Sequence, residues 1–195
     1  FQAMKAQIEA GAIGDVEMVT ILSRDPGLPP IEYIKVSGGI FRDMMIHDFD
    51  MARWLIGEDF VEVQAIGSVQ VDPAVGTAGD FDTATASMKT ATGKIASITN
   101  SRRASYGYDQ RIEVHGSKGM VSTGNVTEST MMLSTADGIR HEKPMHFFLE
   151  RYAQAYANEW DGFVKLVLDG DTTMPSALDG LKSLELAEAA VASAS

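Results

Sequence analysis

The chain has 195 residues, of which 45% are hydrophobic and 22% are charged, a composition typical of a globular protein. Its formal net charge of −11 argues against nucleic acid or an anionic membrane as partner, because both require clustered lysine and arginine. It has no cysteine and no apolar run near the ~20 residues of a membrane-spanning helix, so we expect a cytoplasmic protein that acts on a small molecule.

The first third of the chain alternates helical and strand patterns. A helix is predicted over 1–10, a strand over 16–22 and a longer helix over 38–56, with a proline-rich loop between the last two. The chain begins inside a helix and without an initiator methionine, so we expect it to be the second part of a longer protein.

The next eighty residues show mostly the period-2 pattern of strands. The predicted strands span 61–71, 81–89, 94–104, 109–115, 119–123, 130–134 and 139–142. Their short spacing requires antiparallel hairpins, and 72–79 is the only linker-like stretch. Two helices, over 148–168 and 176–192, close the chain. This order predicts an α+β fold, with helices on one face of an antiparallel-rich sheet.

An antiparallel sheet that is covered on one side leaves its other face open. Alternation along one strand places Thr83, Thr85 and Ser87 on that open face. We expect this face to pack against another sheet in an oligomer.

The helix over 38–56 carries three ionisable groups, Asp43, His47 and Asp50, at i, i+4 and i+7 of one stripe. Most of the other positions are apolar, and a helix that is apolar nearly all round is normally buried. We therefore expect these groups to lie in a sheltered place, where ionisable side chains are costly unless paired or used. The two glycines at its start would allow a close approach of a ligand or of another backbone.

Asp43 is one turn before His47, so its carboxylate can reach one ring nitrogen and fix the tautomer. The other nitrogen would then serve as a general base. One alternative is a core histidine that Asp43 satisfies. A metal site is a weaker alternative, since no other histidine or cysteine has convincing ligand spacing, and we expect no metal.

The sequence also contains three further groups of residues to consider. Residues 100–111 contain three arginines and two tyrosines, which could bind a polyhydroxylated ligand or pair with surface acids at a hairpin end. The aromatic stripe of Tyr152, Tyr156 and Trp160 is expected to pack in the core. The three remaining histidines are expected on the surface or in loops, at His115, His141 and His146.

Several of these segments together resemble the carboxy-terminal domain of the Gfo/Idh/MocA-type NAD(P)-dependent sugar and polyol dehydrogenases. They are 8–14, 23–26, 37–54, 106–111 and 147–152. The helix from the paired glycines through His47 is the most specific of them. Segments 23–26 and 106–111 narrow the resemblance toward members that oxidise inositol.

The resemblance implies a glyceraldehyde-3-phosphate dehydrogenase-like fold with a large, open-faced, mostly antiparallel sheet. Residues 1–195 would form one substrate-binding and oligomerisation domain, preceded in the family by a Rossmann domain that binds NAD or NADP. No glycine-rich dinucleotide fingerprint follows a strand in this chain. We therefore expect the cofactor to be bound mainly outside it, the isolated chain to be inactive, and the protein to be a homo-oligomer, often a tetramer in this family.

The resemblance also implies a role for individual residues. His47 would be the catalytic acid/base, and Asp43 its partner and a ligand of a substrate hydroxyl. Asp50, Asp25 and Tyr106 would lie near the polyol.

On the same resemblance, Tyr152 would approach the nicotinamide. The implied reaction oxidises one ring hydroxyl of a polyol such as myo-inositol to the ketone. The alternatives are another sugar oxidoreductase of the family, or a non-catalytic ligand-binding or oligomerisation module.

Overall fold

The computed structural model describes residues 1–171 and 173–195. The helices are α1 (Gln2–Glu9), α2 (Ile31–Ser37), α3 (Ile40–Asp43), α4 (Met45–Ile56), α5 (Pro73–Thr77), α6 (Phe148–Arg151), α7 (Ala153–Asp169) and α8 (Ala177–Ala194). The strands are β1 (Val16–Arg24), β2 (Phe60–Ser68), β3 (Thr83–Thr90), β4 (Ile95–Ser101), β5 (Asp109–Gly116), β6 (Gly119–Thr123), β7 (Met132–Thr135) and β8 (Gly138–His141).

Six strands form one sheet in the order β2-β3-β4-β1-β5-β6, and β7 and β8 form a separate hairpin. Only the central β1–β4 pair is parallel, and every other neighbouring pair is antiparallel. The long connection between β1 and β4 permits this parallel pairing, since a parallel return needs a crossover of a dozen residues or more. The α+β fold with a mostly antiparallel sheet is confirmed.

The hydrophobic core lies between one face of the sheet and the helices α4 and α8. Residues at alternate positions of β1 and β4 point into it, and Val19 and Ile98 are fully buried. From α4, Phe49 and Ala52 are also fully buried, and Ala187 of α8 packs beside them. This packing fixes α4 against the two central strands, which is what positions the polar side chains described below.

The opposite face of the sheet is open. In β3 the buried Ala84, Ala86 and Met88 alternate with half-buried or exposed residues, which are Thr83, Thr85 and Ser87. The prediction that these three residues point away from the core is confirmed.

Three stretches differ from the sequence prediction. The helix predicted over 38–56 is divided between α3 and α4, because Met44 leaves regular helical geometry at φ −111° and ψ −58°. The linker-like stretch 72–79 contains α5, whose first turn is capped by the Asp72 carboxylate accepting from the Ala74 N–H at 2.8 Å. The proline-rich loop contains α2, which begins directly after Pro30.

The prediction that the aromatic stripe packs in the core is wrong for α7. No side chain of α7 is buried, although the structure describes all of residues 153–169. Tyr156 is 49% exposed and Trp160 is 67% exposed, because no other element of the described chain covers this helix face. None of the helices in the described parts of the chain is long and apolar enough to span a membrane.

Candidate active site

A row of three polar side chains crosses the centre of the sheet on its covered face. Ser23 of β1 lies directly opposite Asn100 of β4 on one side and Gln110 of β5 on the other. All three are at least nine-tenths buried. We call these three residues the polar row; they lie at the end of β1 that faces the start of α4.

Asp48 of α4 closes the polar row from above and is only 6% exposed. Its carboxylate accepts from Ser23 Oγ at 2.6 Å and from Asn100 Nδ2 at 2.7 Å. Burial raises the pKa of Asp48 to about 6, against the lowering effect of these two hydrogen bonds, and the negative charge of Asp25 raises it further. The sequence pattern alone did not indicate a role for Asp48.

On the other side of the site, a buried arginine lies close to the carboxylates of Asp43 and Asp80. Arg102 Nη2 donates to Asp43 Oδ2 at 2.8 Å and lies 3.9 Å from Asp80 Oδ2. The Arg102 side chain is 2% exposed. The second oxygen of Asp43 accepts from the Tyr33 hydroxyl, and Asp80 Oδ1 accepts from the Ile40 N–H at the start of α3. Asp43 is therefore held by two donors from two different parts of the chain.

Asp25 belongs to the same acidic cluster. It is half-buried, and burial raises its pKa to about 6, opposed by the positive charge of Arg102 and reinforced by the negative charge of Asp43. The structure thus brings together two of the predicted site residues, Asp25 and Asp43, around a guanidinium that neutralises part of their charge.

The expected contact between Asp43 and His47 does not form. Among the described residues no hydrogen bond or ion pair joins these two side chains, because Asp43 already accepts from Arg102 and Tyr33. His47 is exposed rather than sheltered. The predictions that Asp43 fixes the tautomer of His47 and that the helix shields the imidazole are therefore wrong, and the His47 ring is open to a ligand.

Two other predicted site residues lie outside this cluster. Asp50 Oδ1 lies 3.2 Å from the Ser183 hydroxyl of α8, which also lies 2.9 Å from the Asp179 carbonyl, so Asp50 faces α8 and not the polar row. Tyr106 is 44% exposed and donates to Asp109 Oδ2 at 2.6 Å. Asp109 also accepts from Arg111 at 2.8 Å, which makes this a separate polar group at the start of β5.

Tyr152 lies beside Tyr108, with the rings edge to face and their centroids 5.9 Å apart. Burial raises the pKa of both hydroxyls, and the charge of Asp48 raises them further. Both tyrosines therefore lie within the electrostatic range of Asp48, and Tyr152 is the residue expected to contact a nicotinamide ring.

The arginines of 100–111 divide between different tasks. Arg102 is buried against Asp43, Arg103 donates to the Gln70 carbonyl at 3.3 Å, and Arg111 pairs with the buried Asp109. Arg102 and Arg111 pair with acids, as in the second of the two interpretations, and their side chains are engaged there. Both acids are sheltered, however, and do not lie on the surface. The exposed positions of the other histidines, His115, His141 and His146, are confirmed.

The sequence contained a signal for the polar row. Ser23, Asn100 and Gln110 occupy the inward positions of strands whose other inward residues are apolar. A polar residue at such a position is buried at a cost unless it has a partner. Arg102 and Tyr33 gave no such signal, since their contacts depend on the packing of distant segments.

The residues present fit a nicotinamide cofactor only in part. Tyr152 and Tyr108 offer an aromatic edge beside the acidic cluster. The sequence contains no G-x-G pair, so the chain lacks the glycine-rich turn that approaches a dinucleotide pyrophosphate.

The fold and the cluster define the class of domain to which this chain belongs, an open-faced α+β domain with a buried guanidinium–carboxylate pair and an exposed imidazole four residues after that carboxylate. The family model of the GFO/IDH/MocA C-terminal domain matches residues 1–122. The chain belongs to the Gfo/Idh/MocA family.

Individual relatives are inositol dehydrogenases. The chain is 55% identical over 194 residues to inositol 2-dehydrogenase of Rhizobium meliloti, covering 99% of this chain and 58% of that protein. It is 50% identical over 190 residues to myo-inositol 2-dehydrogenase of Thermotoga maritima, covering 97% of this chain and 57% of that protein. The chain thus spans less than two thirds of the length of these relatives.

Solved structures agree with the fold. A myo-inositol dehydrogenase of Corynebacterium glutamicum superposes with a TM-score of 0.95 at 40% identity, over 99% of this chain and 58% of that one. A scyllo-inositol dehydrogenase of Lactobacillus casei, solved with NAD(H) and scyllo-inositol, superposes with a TM-score of 0.89 at 31% identity, over 99% and 58% of the two chains.

Proposed function

We propose that this chain is the substrate-binding and assembly domain of a cytoplasmic NAD- or NADP-dependent polyol dehydrogenase, which oxidises a ring hydroxyl of myo-inositol or a similar cyclitol to the ketone. The observation that carries the proposal is a fixed carboxylate, Asp43 at the end of α3, four residues before the exposed imidazole of His47 on α4. The relatives named inositol 2-dehydrogenase support the choice of substrate.

In this proposal the acidic cluster binds the polyol. Asp43 accepts from a substrate hydroxyl with a lone pair left free by Arg102 and Tyr33, since a carboxylate has about four acceptor positions. Asp25, half-buried beside the same guanidinium, offers a second acceptor for a neighbouring hydroxyl. Because Arg102 and Tyr33 hold Asp43 before the substrate binds, little side-chain conformational freedom would be lost on binding.

His47 removes the proton of the reacting hydroxyl as the carbon–oxygen double bond forms. A bound nicotinamide would supply the acceptor for the hydride that leaves the same carbon. The products are then the ketone, the reduced cofactor and a protonated imidazole, which gives its proton to water. An imidazole suits this transfer because its ordinary pKa is close to neutral pH.

The open sheet face supports a proposal for assembly. It carries exposed apolar side chains on three different strands, at Ile66, Ile95 and Met18. These alternate with hydroxyl residues and lie away from the core. We propose that this face packs against the same face of a second copy, which forms a homo-oligomer.

The experiment that tests the function is a substrate panel on the full-length protein with NAD and with NADP. Oxidation of myo-inositol or another cyclitol, with cofactor reduction followed at 340 nm, supports the proposal. Activity confined to open-chain or phosphorylated sugars would reject the substrate class, and no activity on any polyol would favour the non-catalytic alternative. The 195-residue chain alone is expected to be inactive.

A further inference from the structure

The polar row lies under α4, and the carboxylate that it contacts is that of Asp48. Ser23 and Asn100 both donate to it, at 2.6 and 2.7 Å. The strands that carry these donors are the parallel pair at the centre of the sheet. Through Asp48, therefore, one turn of α4 is tied by charge-assisted hydrogen bonds to two strands at once.

The hydrogen bonds of the row depend on Asp48. Ser23 Oγ also lies 2.9 Å from Gln110 Oε1, but a hydroxyl has one proton and can donate to one oxygen only. With the Gln110 amide turned over, its N–H donates to Ser23 and the Ser23 proton goes to Asp48. Asn100 Nδ2 donates to Asp48, and Asn100 Oδ1 has no partner within the part of the chain that the structure describes. The acceptor oxygens of Asp48 thus set the orientation of the whole row.

Asp48 is the residue directly after His47 on α4. The two side chains point in different directions, since Asp48 is 6% exposed and His47 is exposed. Asp43, which sequence spacing suggested as the orienting partner of His47, is engaged elsewhere. The backbone at His47 is consequently fixed by what holds its neighbour.

We infer that Asp48 is a positioning residue, which locks the first turn of α4 onto the polar row and so places the His47 imidazole for proton transfer. This inference rests on the proposed function for its kinetic part, but not for its structural part. Asp48 touches neither substrate nor cofactor; it acts through the backbone of α4.

The test compares three variants of the full-length enzyme. Asp48→Ala leaves the buried Asn100 N–H without its acceptor and leaves Ser23 only Gln110 as a partner, so neither strand is bonded to α4 through this side chain. It should lower kcat about 10- to 100-fold, with KM for myo-inositol nearly unchanged, since a displacement near 1 Å can have this effect. Asp48→Asn should restore most of kcat, because its Oδ1 accepts from Ser23 and a turned Asn100 offers Oδ1 to its N–H. Ser23→Ala, which removes one donor only, should give a smaller loss and serves if Asp48→Ala does not fold.

Thr90→Ala is the matched control. Thr90 is a fully buried hydroxyl at the far end of the same sheet, where it accepts from the Lys94 N–H at 3.1 Å. The Thr90→Ala substitution should lower the melting temperature while leaving kcat unchanged. A folded Asp48→Ala or Ser23→Ala enzyme with the wild-type kcat would overturn the inference, as would an equal loss in Thr90→Ala.

A second measurement separates this inference from the proposed function. In the 195-residue chain, NMR signals of the His47 ring should shift or broaden in Asp48→Ala, return in Asp48→Asn and stay unchanged in Thr90→Ala. If this pattern appears in a protein whose full-length form oxidises no polyol, the proposed function fails and the positioning role stands. An unaltered His47 signal in Asp48→Ala overturns the positioning role.

Discussion

Arg102 Nη2 donates to Asp43 Oδ2 at 2.8 Å, although 59 residues separate the two in the chain. The Arg102 guanidinium is buried against the Asp43 carboxylate. From sequence spacing, Asp43 was expected to pair with His47. The contact changes the role of Asp43 from an orienting partner of His47 to a hydrogen-bond acceptor held rigid by the sheet. It also makes the charge balance of the site depend on one arginine.

Replacing Arg102 with methionine should reduce the free energy of unfolding by about 3–5 kcal/mol, because Asp43 and Asp80 then keep sheltered charge without a counter-ion. Urea denaturation at pH 7 measures this loss. Arg42→Met is the matched control, since the side chains of Arg42 and its partner Glu188 are both more than a third exposed. We expect the control to lose much less than Arg102→Met, because an exposed ion pair contributes little to stability, and equal losses would show that Arg102 has no special structural weight.

The raised pKa of Asp25, about 6, predicts a dependence of stability on pH. Between about pH 4 and pH 6 the unfolded chain releases this proton before the folded chain does, so the free energy of unfolding falls as pH rises, by up to about 3 kcal/mol from this group. Asp25→Asn should remove that fall, so its stability relative to wild type increases from pH 4 to pH 7.

Urea unfolding at both pH values provides the comparison. Asp137→Asn, in the exposed β7–β8 turn, is the control and should follow wild type throughout. Parallel curves for wild type and Asp25→Asn would contradict the burial of this carboxyl.

Gly39 is required at the start of α3 for two reasons. Its φ is +88° with ψ 170°, a backbone conformation that residues other than glycine rarely adopt. An added Cβ would lie 2.8 Å from Asp80 Oδ1. Gly39→Ala should reduce stability by about 2–3 kcal/mol from backbone strain and displacement of Asp80. Gly11→Ala, at φ +72° with no atom within 4 Å of the new Cβ, isolates the strain alone and should lose about 1 kcal/mol. Thermal unfolding of both variants distinguishes these effects, and an equal loss would show that Asp80 moves freely.

A charge on the open sheet face should disrupt the proposed oligomer. Ile66 is 69% exposed on that face, and Ile66→Glu would place a carboxylate where a second copy would bury it. Light scattering after size exclusion should show a lower mass for this variant than for wild type. Ile139→Glu, in the β7–β8 hairpin and 64% exposed, should leave the mass unchanged. An unchanged mass for Ile66→Glu would place the interface elsewhere.

The elements that the sequence predicted well are those that short-range patterns determine. Alternation located the strands and the outward side of Thr83 and Thr85, and turn residues separated the hairpins. The helix with His47 was recognisable from its apolar positions. The break at Met44, by contrast, arises where α3 and α4 pack differently, and no residue type announces it.

The part of the site that sequence could not supply depends on strand register. Ser23 lies opposite Asn100 only because β1 and β4 pair in parallel, and Arg102 reaches Asp43 across 59 residues of chain only through tertiary packing. The stripe of α7 shows a different limit: its pattern indicates an amphipathic helix, but spacing alone does not say what covers the apolar side.

The turnover of His47→Ala in the full-length enzyme with myo-inositol and NAD tests whether His47 is the base. We predict that kcat falls by roughly 10²–10⁴, since the proton acceptor is lost, while the affinity for NAD and the melting temperature stay close to wild type. His115→Ala, at another exposed histidine, on β5, should keep wild-type turnover. Near-normal turnover of His47→Ala would contradict the assignment of His47 as the base.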